Sequence, residues 1–92
     1  MQIEHDRENS RFLINLGDEP AELNYRQKDQ VLDFYHVYVP DAHRGKGVAA
    51  KIVIAAFDFA AREGFKVIPT CPFISGEFLP RFPKYQALVQ NK

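Results

Sequence analysis

Cysteine and net charge are the features that this sequence has least of. Its single cysteine, Cys71, excludes an internal disulfide and favours a reducing compartment, so we expect a cytoplasmic location. Lys and Arg together number 12, as do Asp and Glu, so no overall basic field attracts nucleic acid. We therefore expect no nucleic-acid partner, and any electrostatic recognition has to be local.

Long hydrophobic runs are also absent. None approaches the roughly 18 residues of a membrane-spanning helix, and the charged N-terminal stretch lacks the apolar core of a signal peptide. We therefore expect no membrane partner. The 92 residues predict one domain covering residues 1–92, as a monomer or a weak homodimer, and we expect no metal site.

The first half of the chain predicts an antiparallel meander, preceded by a polar N-terminal stretch that we expect to be frayed. Three short segments either are rich in β-formers or alternate between apolar and polar residues. These predicted strands cover residues 11–16, 21–27 and 31–39. The short links between them favour antiparallel pairing.

The second half predicts a long helix and one more strand. Val48, Ile52 and Phe59 lie on one face of a helix that we place at residues 46–64. An apolar strand follows at residues 65–71, and the crossover through the helix places it parallel to the preceding strand. Two short helices, broken by prolines, end the chain. The predicted fold is a single-domain α/β (α+β) protein of order β-β-β-α-β-α, with a mixed sheet and the long helix on one face.

The stretch HRGKGVAA, residues 43–50, lies where the third predicted strand passes into the helix. Glycine lets a ligand approach the main chain, and the first amides of a helix lack partners within it. The helix dipole and the cations His43, Arg44 and Lys46 add to this, so the stretch favours an anion such as a phosphate. The glycines alone leave the alternative open, which is a tight turn with solvated basic residues.

Three phosphate-binding motifs are candidates for this stretch. A P-loop requires four residues between its glycines and then Lys-Ser/Thr, which GKGVAA lacks. A dinucleotide-binding fingerprint is matched in form by Gly45, Gly47 and Ala50, but it belongs after the first strand of a parallel sheet. The third motif, R/Q-x-x-G-x-G/A, is matched by RGKGVA, from Arg44 to Ala49. Its context also matches, with antiparallel strands before it and a long helix after it.

This third motif belongs to the acyl-CoA-dependent N-acyltransferases of the GNAT superfamily, which the chain resembles. Together with HVYVP, KVIPTCPFI and RFPKY, it is similar to the small stand-alone subgroup of that superfamily. The resemblance implies acetyl-CoA as cosubstrate, with its pyrophosphate on loop amides and its pantetheine arm along the preceding strand. The residues that it implies for CoA binding are Tyr38, Val39, Arg44, Gly45, Lys46, Gly47, Val48 and Ala49.

The resemblance also implies three candidates for catalysis, each with a purely structural alternative. Tyr38 replaces the glutamate of the subgroup's His-Thr-Glu-Val-Pro, which shifts the work of a base to His36 or a water. Cys71 is expected beside the thioester, either as a nucleophile or as a small buried residue, and we favour direct attack by the amine. Tyr85 matches a tyrosine that protonates the CoA thiolate in many GNAT enzymes, and its alternative is packing at the domain edge.

The function implied by the resemblance is an acetyl-CoA-dependent N-acetyltransferase that moves an acetyl group to an unidentified amine, on a small molecule or a protein. The substitution at Tyr38 motivates a rival, a module that binds CoA or acyl-CoA without turning it over. A third possibility is an interaction domain that kept only the fold. Binding of CoA and release of free CoA with amines separate the three.

Overall fold

Alternating apolar residues build a sheet in the computed structural model, which describes residues 2–90. The strands are β1 Ile3–Asp6, β2 Arg11–Asn15, β3 Pro20–Lys28, β4 Val31–Tyr38 and β5 Lys66–Ile68. They lie in chain order; β1 to β4 are antiparallel and β5 is parallel to β4. The helical elements are a 3-10 turn Asp41–His43, α1 Val48–Glu63, a π-helical turn Ile74–Phe78, α2 Leu79–Arg81 and a 3-10 segment Pro83–Leu88. The predicted mixed sheet is confirmed.

One strand was not predicted, because β1 lies in the stretch that we expected to be frayed. The order before the long helix is therefore four strands and not three. The polar sequence of β1 hides the packing of His5, which is half-buried. This imidazole stacks on Phe12 at 4.0 Å, meets the edge of Phe59 at 4.5 Å and hydrogen-bonds the Tyr25 hydroxyl at 2.6 Å. Histidine here fills an aromatic position, which a hydropathy pattern does not reveal.

The core lies between the sheet and α1. The buried side chains of β2, β3 and β4 alternate with polar ones, so that one face of the sheet is apolar. Phe34 and Phe57 meet edge to face at 5.3 Å across this interface, and the buried side chains of α1 complete it. Within residues 2–90, no helix is long and apolar enough to cross a membrane.

The strands β4 and β5 part near the middle of β4. They pair over three residues of each strand, and the last link is the Cys71 amide, which donates to the Phe34 carbonyl at 3.0 Å. The register between β3 and β4 shifts between Asn24 and Tyr25, which leaves Tyr35 as an extra residue in β4. Such a bulge bends a strand and increases its twist. The end of β4 thus leaves β5 and opens a gap at the edge of the sheet.

The C-terminal helical segment covers this gap from the side of α1. The Leu79 amide bonds to the Ile74 carbonyl, five residues back, which makes the turn π-helical. Pro80 follows within α2, which continues directly from this turn, and its missing N–H removes one hydrogen bond near the end of the helical run. Phe78 stacks on Phe57 of α1 at 5.7 Å. This contact fixes the segment against the helix.

Candidate active site

A cleft of about 540 Å³ lies where β4, the glycine loop and the C-terminal helical segment meet. One wall is the end of β4, the second is the loop with the first turn of α1, and the third is the π-helical turn with α2. The lining residues are Val37, Val39, His43, Arg44, Gly45, Gly47, Val48, Ala49, Ala50, Phe73, Glu77 and Arg81. Most of the predicted CoA-binding residues therefore meet in one cleft. Tyr38 and Lys46 do not line it.

Two glycines set the course of the loop at the floor of the cleft. Gly45 and Gly47 have φ of 80° and 78°, in the left-handed region that L-residues other than glycine rarely adopt. A Cβ built on either glycine meets no atom within 4 Å. The chain therefore needs glycine here for its backbone conformation, and the main chain stays open to a ligand.

The amides at the start of α1 have no partners of their own. Gly47 is the N-cap and supplies no side-chain hydrogen bond, and the first turn contains no acidic residue. The first amide that bonds is that of Lys51, which donates to the Gly47 carbonyl at 3.2 Å. Within residues 2–90, no amide from Gly45 to Ala50 donates a hydrogen bond. The arrangement suits an anion that accepts several N–H bonds at the positive end of the helix dipole.

Arg44 stands at the mouth of the loop, but most of its bonding is internal. Its Nε donates to the Val39 carbonyl at 2.9 Å, and its Nη1 lies 2.8 Å from Asp41 Oδ1. Its amide also bonds to the Asp41 carbonyl at 3.2 Å. Arg44 thus ties the end of β4 to the 3-10 turn, and one of the strand carbonyls predicted to pair with pantetheine is already engaged.

Tyr38 lies on the opposite face of β4 from the cleft, next to the turn between β2 and β3. Its hydroxyl donates to Glu19 Oε1 at 2.5 Å. This hydrogen bond raises the pKa of the Tyr38 phenol, and burial and the Glu19 charge act in the same direction. A carboxylate therefore lies next to Tyr38, although it belongs to Glu19 of the neighbouring turn.

His36 belongs to a chain of polar side chains on the same outer face of the sheet. Asn24 donates its Nδ2 to Glu22 Oε1 at 2.9 Å, because a carboxylate only accepts. The Asn24 carbonyl oxygen therefore faces His36 Nδ1, 2.9 Å away, and that nitrogen must carry the proton. The neutral imidazole is left with Nε2 as its free basic nitrogen. Arg11 joins Glu22 to Asp6 at the far end of the chain.

Cys71 lies at the beginning of the C-terminal helical segment and not at the mouth of the cleft. Its side chain is buried in the core, with 6% of the residue exposed. Its carbonyl accepts the amides of Ile74 and Ser75 at 3.0 and 3.2 Å, so its main chain starts the helical turn. This burial agrees with the structural alternative, a small buried residue, and Cys71 does not line the cleft. A role as nucleophile stays a prediction.

Tyr85 packs between the C-terminal segment and α1. Its hydroxyl donates to Asp58 Oδ1 at 2.9 Å, and its ring lies 5.2 Å from that of Phe57. Burial, and then the hydrogen bond to Asp58, raise the pKa of Tyr85, so the phenol keeps its proton at neutral pH. Asp58 is ten residues beyond Val48, or about 15 Å along the helix. The side chain does not line the cleft, and its role as the acid for the thiolate stays a prediction.

The third wall of the cleft was missed by sequence reasoning. Phe73, Glu77 and Arg81 line it, one turn apart on the helical segment. Their spacing of four residues was readable in the sequence and predicts a shared face. Which way that face points depends on the packing of Phe78 against α1, which no local pattern contains. Among residues 2–90, no group of three or more His, Cys, Asp or Glu side chains is placed to hold a metal ion.

Comparisons with known proteins agree with this geometry. A family model described as GCN5-related N-acetyl-transferase matches residues 11–88. Relatives named Protein NATD1 are 36% identical over 77 residues in Gallus gallus, covering 80% of this chain and 70% of that protein. The one from Bos taurus is 33% identical over 91 residues, covering 96% and 80%. A GCN5-like protein from Staphylococcus aureus, solved by NMR, shares the fold with a TM-score of 0.75 and 24% identity, over 99% of this chain and 89% of that one.

Proposed function

The chain belongs to the family of GCN5-related N-acetyltransferases, and on that premise we propose that it transfers an acetyl group from acetyl-CoA to an amine. The observation that carries the proposal is the row of amides from Gly45 to Ala50. They have no partner within residues 2–90 and border a cleft of about 540 Å³. A pyrophosphate is a ligand that accepts several such bonds at once.

In the proposed complex, the CoA pyrophosphate lies on the glycine loop and the pantetheine arm runs along β4. The gap between β4 and β5 supports this placement, because a strand edge without a partner offers main-chain groups to an extended ligand. Val37 and Val39 give that side of the cleft an apolar surface. The thioester then lies toward the point where the two strands part.

In the proposed reaction, the amine nitrogen attacks the acetyl carbonyl carbon directly. A C–N bond forms, the C–S bond breaks, and CoA leaves as the thiolate. Main-chain amides of β4 stabilise the oxygen of the tetrahedral intermediate. Direct transfer suits a structure in which Cys71, the only cysteine in the sequence, is buried and does not line the cleft.

The ammonium proton goes to His36 Nε2 or to a water bound there. The tautomer supports this assignment, because Asn24 occupies Nδ1 and leaves Nε2 as the acceptor. Asn24 fixes the orientation of the ring at Nδ1, and Glu22 in turn holds Asn24. A hydrogen bond at the other ring nitrogen orients functional imidazoles in many proteins in the same way. The base thus lies on the outer face of the sheet, from which an amine of any size can approach.

A second function, binding of CoA or acyl-CoA without turnover, is favoured by one observation. The Tyr38 hydroxyl donates a hydrogen bond to Glu19, so the carboxylate beside this strand is already engaged. A site without a free carboxylate on this strand depends on His36 for proton transfer. The two functions share the cleft and differ only in the chemical step.

Two measurements test the proposal. Calorimetric titration with acetyl-CoA is expected to give one-to-one binding, and release of the free CoA thiol is expected to rise with at least one of a panel of primary amines. His36→Gln removes the accepting nitrogen and should lower turnover by about a hundredfold at unchanged CoA affinity. Arg62→Gln, on an exposed residue that does not line the cleft, introduces the same side chain away from the site and serves as the matched control.

The outcomes separate the functions. Binding without thiol release above the amine-free rate would leave the binding module. Absence of binding in calorimetry and of any thermal shift with CoA would contradict both functions. Equal turnover of the wild type and His36→Gln would remove His36 from the reaction.

A further inference from the structure

Arg81 is a cation that lines the cleft and has no role in the proposed reaction. It lies one helical turn beyond Glu77 on the wall opposite the glycine loop, and its side chain is exposed. Within residues 2–90, its guanidinium makes no side-chain hydrogen bond and no ion pair. An arginine in the wall of a cleft, with all five N–H donors of its guanidinium available, can bind a phosphate or a carboxylate of a ligand.

Arg44 provides the contrast, since it lines the same cleft. Two donors of its guanidinium are engaged, with the Val39 carbonyl at 2.9 Å and with Asp41 at 2.8 Å. Nε and Nη1 of its guanidinium are thereby engaged within the protein, and these contacts hold the loop in place. The free bidentate fork of this cleft belongs to Arg81.

The loop and Arg81 suit two separate anionic groups. The amides from Gly45 to Ala50 lie on one element and converge at the helix N-terminus, which suits a single pyrophosphate. Arg81 lies across the cleft on a different element. CoA carries a second phosphate, on the 3′ position of its ribose, and a guanidinium binds such a group through two parallel hydrogen bonds.

From this juxtaposition we propose that Arg81 is a binding residue that recognises the 3′-phosphate of CoA, while Arg44 only supports the loop. The inference rests on the proposed binding of CoA and assigns a specificity to it. Glu77, the carboxylate that shares this wall, lies four residues before Arg81. It faces the same cleft without pairing with the arginine within residues 2–90.

The test compares CoA with dephospho-CoA, which lacks only the 3′-phosphate. Wild-type protein is expected to bind CoA about tenfold more tightly, which corresponds to about 1.4 kcal/mol. Arg81→Gln should abolish this preference, because it removes the bond to the 3′-phosphate. The affinity for dephospho-CoA, which lacks that phosphate, should stay within about twofold. Arg81→Lys should restore part of the preference. Arg62→Gln makes the same change of charge on an exposed residue that does not line the cleft, and should keep the full preference.

Each result has one meaning. Wild-type binding with the same preference in Arg81→Gln would overturn the assignment of Arg81 and leave the proposed function standing. Equal weakening of both ligands would place Arg81 on the pyrophosphate and would also overturn it. Failure of the wild type to bind either ligand would contradict the proposed function itself. Thermal melts of the variants control for folding, which Arg81→Gln should not disturb because the guanidinium has no protein partner within residues 2–90.

Discussion

The two ends of α1 carry the same backbone feature and use it differently. Gly47 precedes the helix and Gly64 follows it, both with φ of 78° and both with open space where a Cβ would be. At the C-terminal end, the amides of Gly64 and Phe65 both bond to the Ala60 carbonyl, and Arg62 lies in the last turn. That end is satisfied by the protein itself, as a glycine C-cap usually is.

The N-terminal end has none of these partners. Gly47 offers no side-chain cap, and no acidic residue lies in the first turn. An unpaired helix end is costly where water is excluded, and proteins normally close it with a capping side chain. The end without capping groups is the end that borders the cleft, which supports the proposed binding of CoA at that end. Substitutions at both ends of α1 test whether only the N-terminal end takes part in binding.

The largest effect is expected on CoA binding, in a comparison of the single variants Gly47→Ala and Gly64→Ala. Both changes place a Cβ on a left-handed backbone, so both should reduce the free energy of unfolding by about 1–2 kcal/mol. Only Gly47→Ala should weaken CoA binding, by tenfold or more, about 1.4 kcal/mol, because it alters the main chain that faces the ligand. Calorimetry with CoA and thermal melts of both variants give the two quantities.

The shared loss of stability is the control in this pair. If both variants lose stability and neither loses affinity for CoA, the loop is a tight turn with solvated cations and not a phosphate site. If Gly64→Ala weakens binding as much as Gly47→Ala does, the effect is global and the two ends are not distinct.

A smaller effect, of opposite sign for stability and binding, is expected from Ala49→Glu. A carboxylate in the first turn of α1 complements the helix dipole and should raise the free energy of unfolding by about 0.3–1 kcal/mol. The same charge next to the loop should weaken CoA binding by about fivefold, because like charges repel at this range. Ala49→Gln separates charge from size. A Glu variant that binds CoA as well as the Gln variant would show that no phosphate lies near this turn.

The smallest effect concerns His5, which packs against Phe59 of α1, and the response of the protein's stability to acid. Burial lowers the pKa of His5. The unfolded chain takes up this proton near the ordinary pKa of about 6.5, before the folded protein does, so stability should fall as pH drops below that value. The wild-type melting temperature should therefore decrease more between pH 7.5 and 5.5 than that of His5→Phe. Equal slopes for the two proteins would exclude His5 as the cause.

Much of the fold could be predicted because local pattern and tertiary packing agree. The apolar stripe through Val48, Ile52 and Phe59 is the face that α1 buries. Pattern failed at β1, where His5 takes an aromatic position only because Phe12 and Phe59 surround it. Such a strand forms through its partners and not through its own propensity.

The site divides in the same way. The loop was predictable because two glycines with a basic residue between them impose local geometry at Gly45 and Gly47. The contribution of Arg81 comes from the packing of a separate segment on α1, and short-range sequence does not carry that information. For Cys71 the sequence left two alternatives, a nucleophile beside the thioester or a small buried residue, and its neighbours in the core bury it.

The proposed function requires that CoA binds on the amides at the N-terminal end of α1, which have no partner within residues 2–90. Two-dimensional 15N–1H NMR during a titration with CoA observes these amides directly. The resonances of Gly45 to Ala50 are expected to shift most and to saturate together, while those of Gly64 and Phe65 at the other end of the helix stay unchanged. Saturable binding of CoA without shifts from Gly45 to Ala50, or no binding at all, would contradict binding at the N-terminal end.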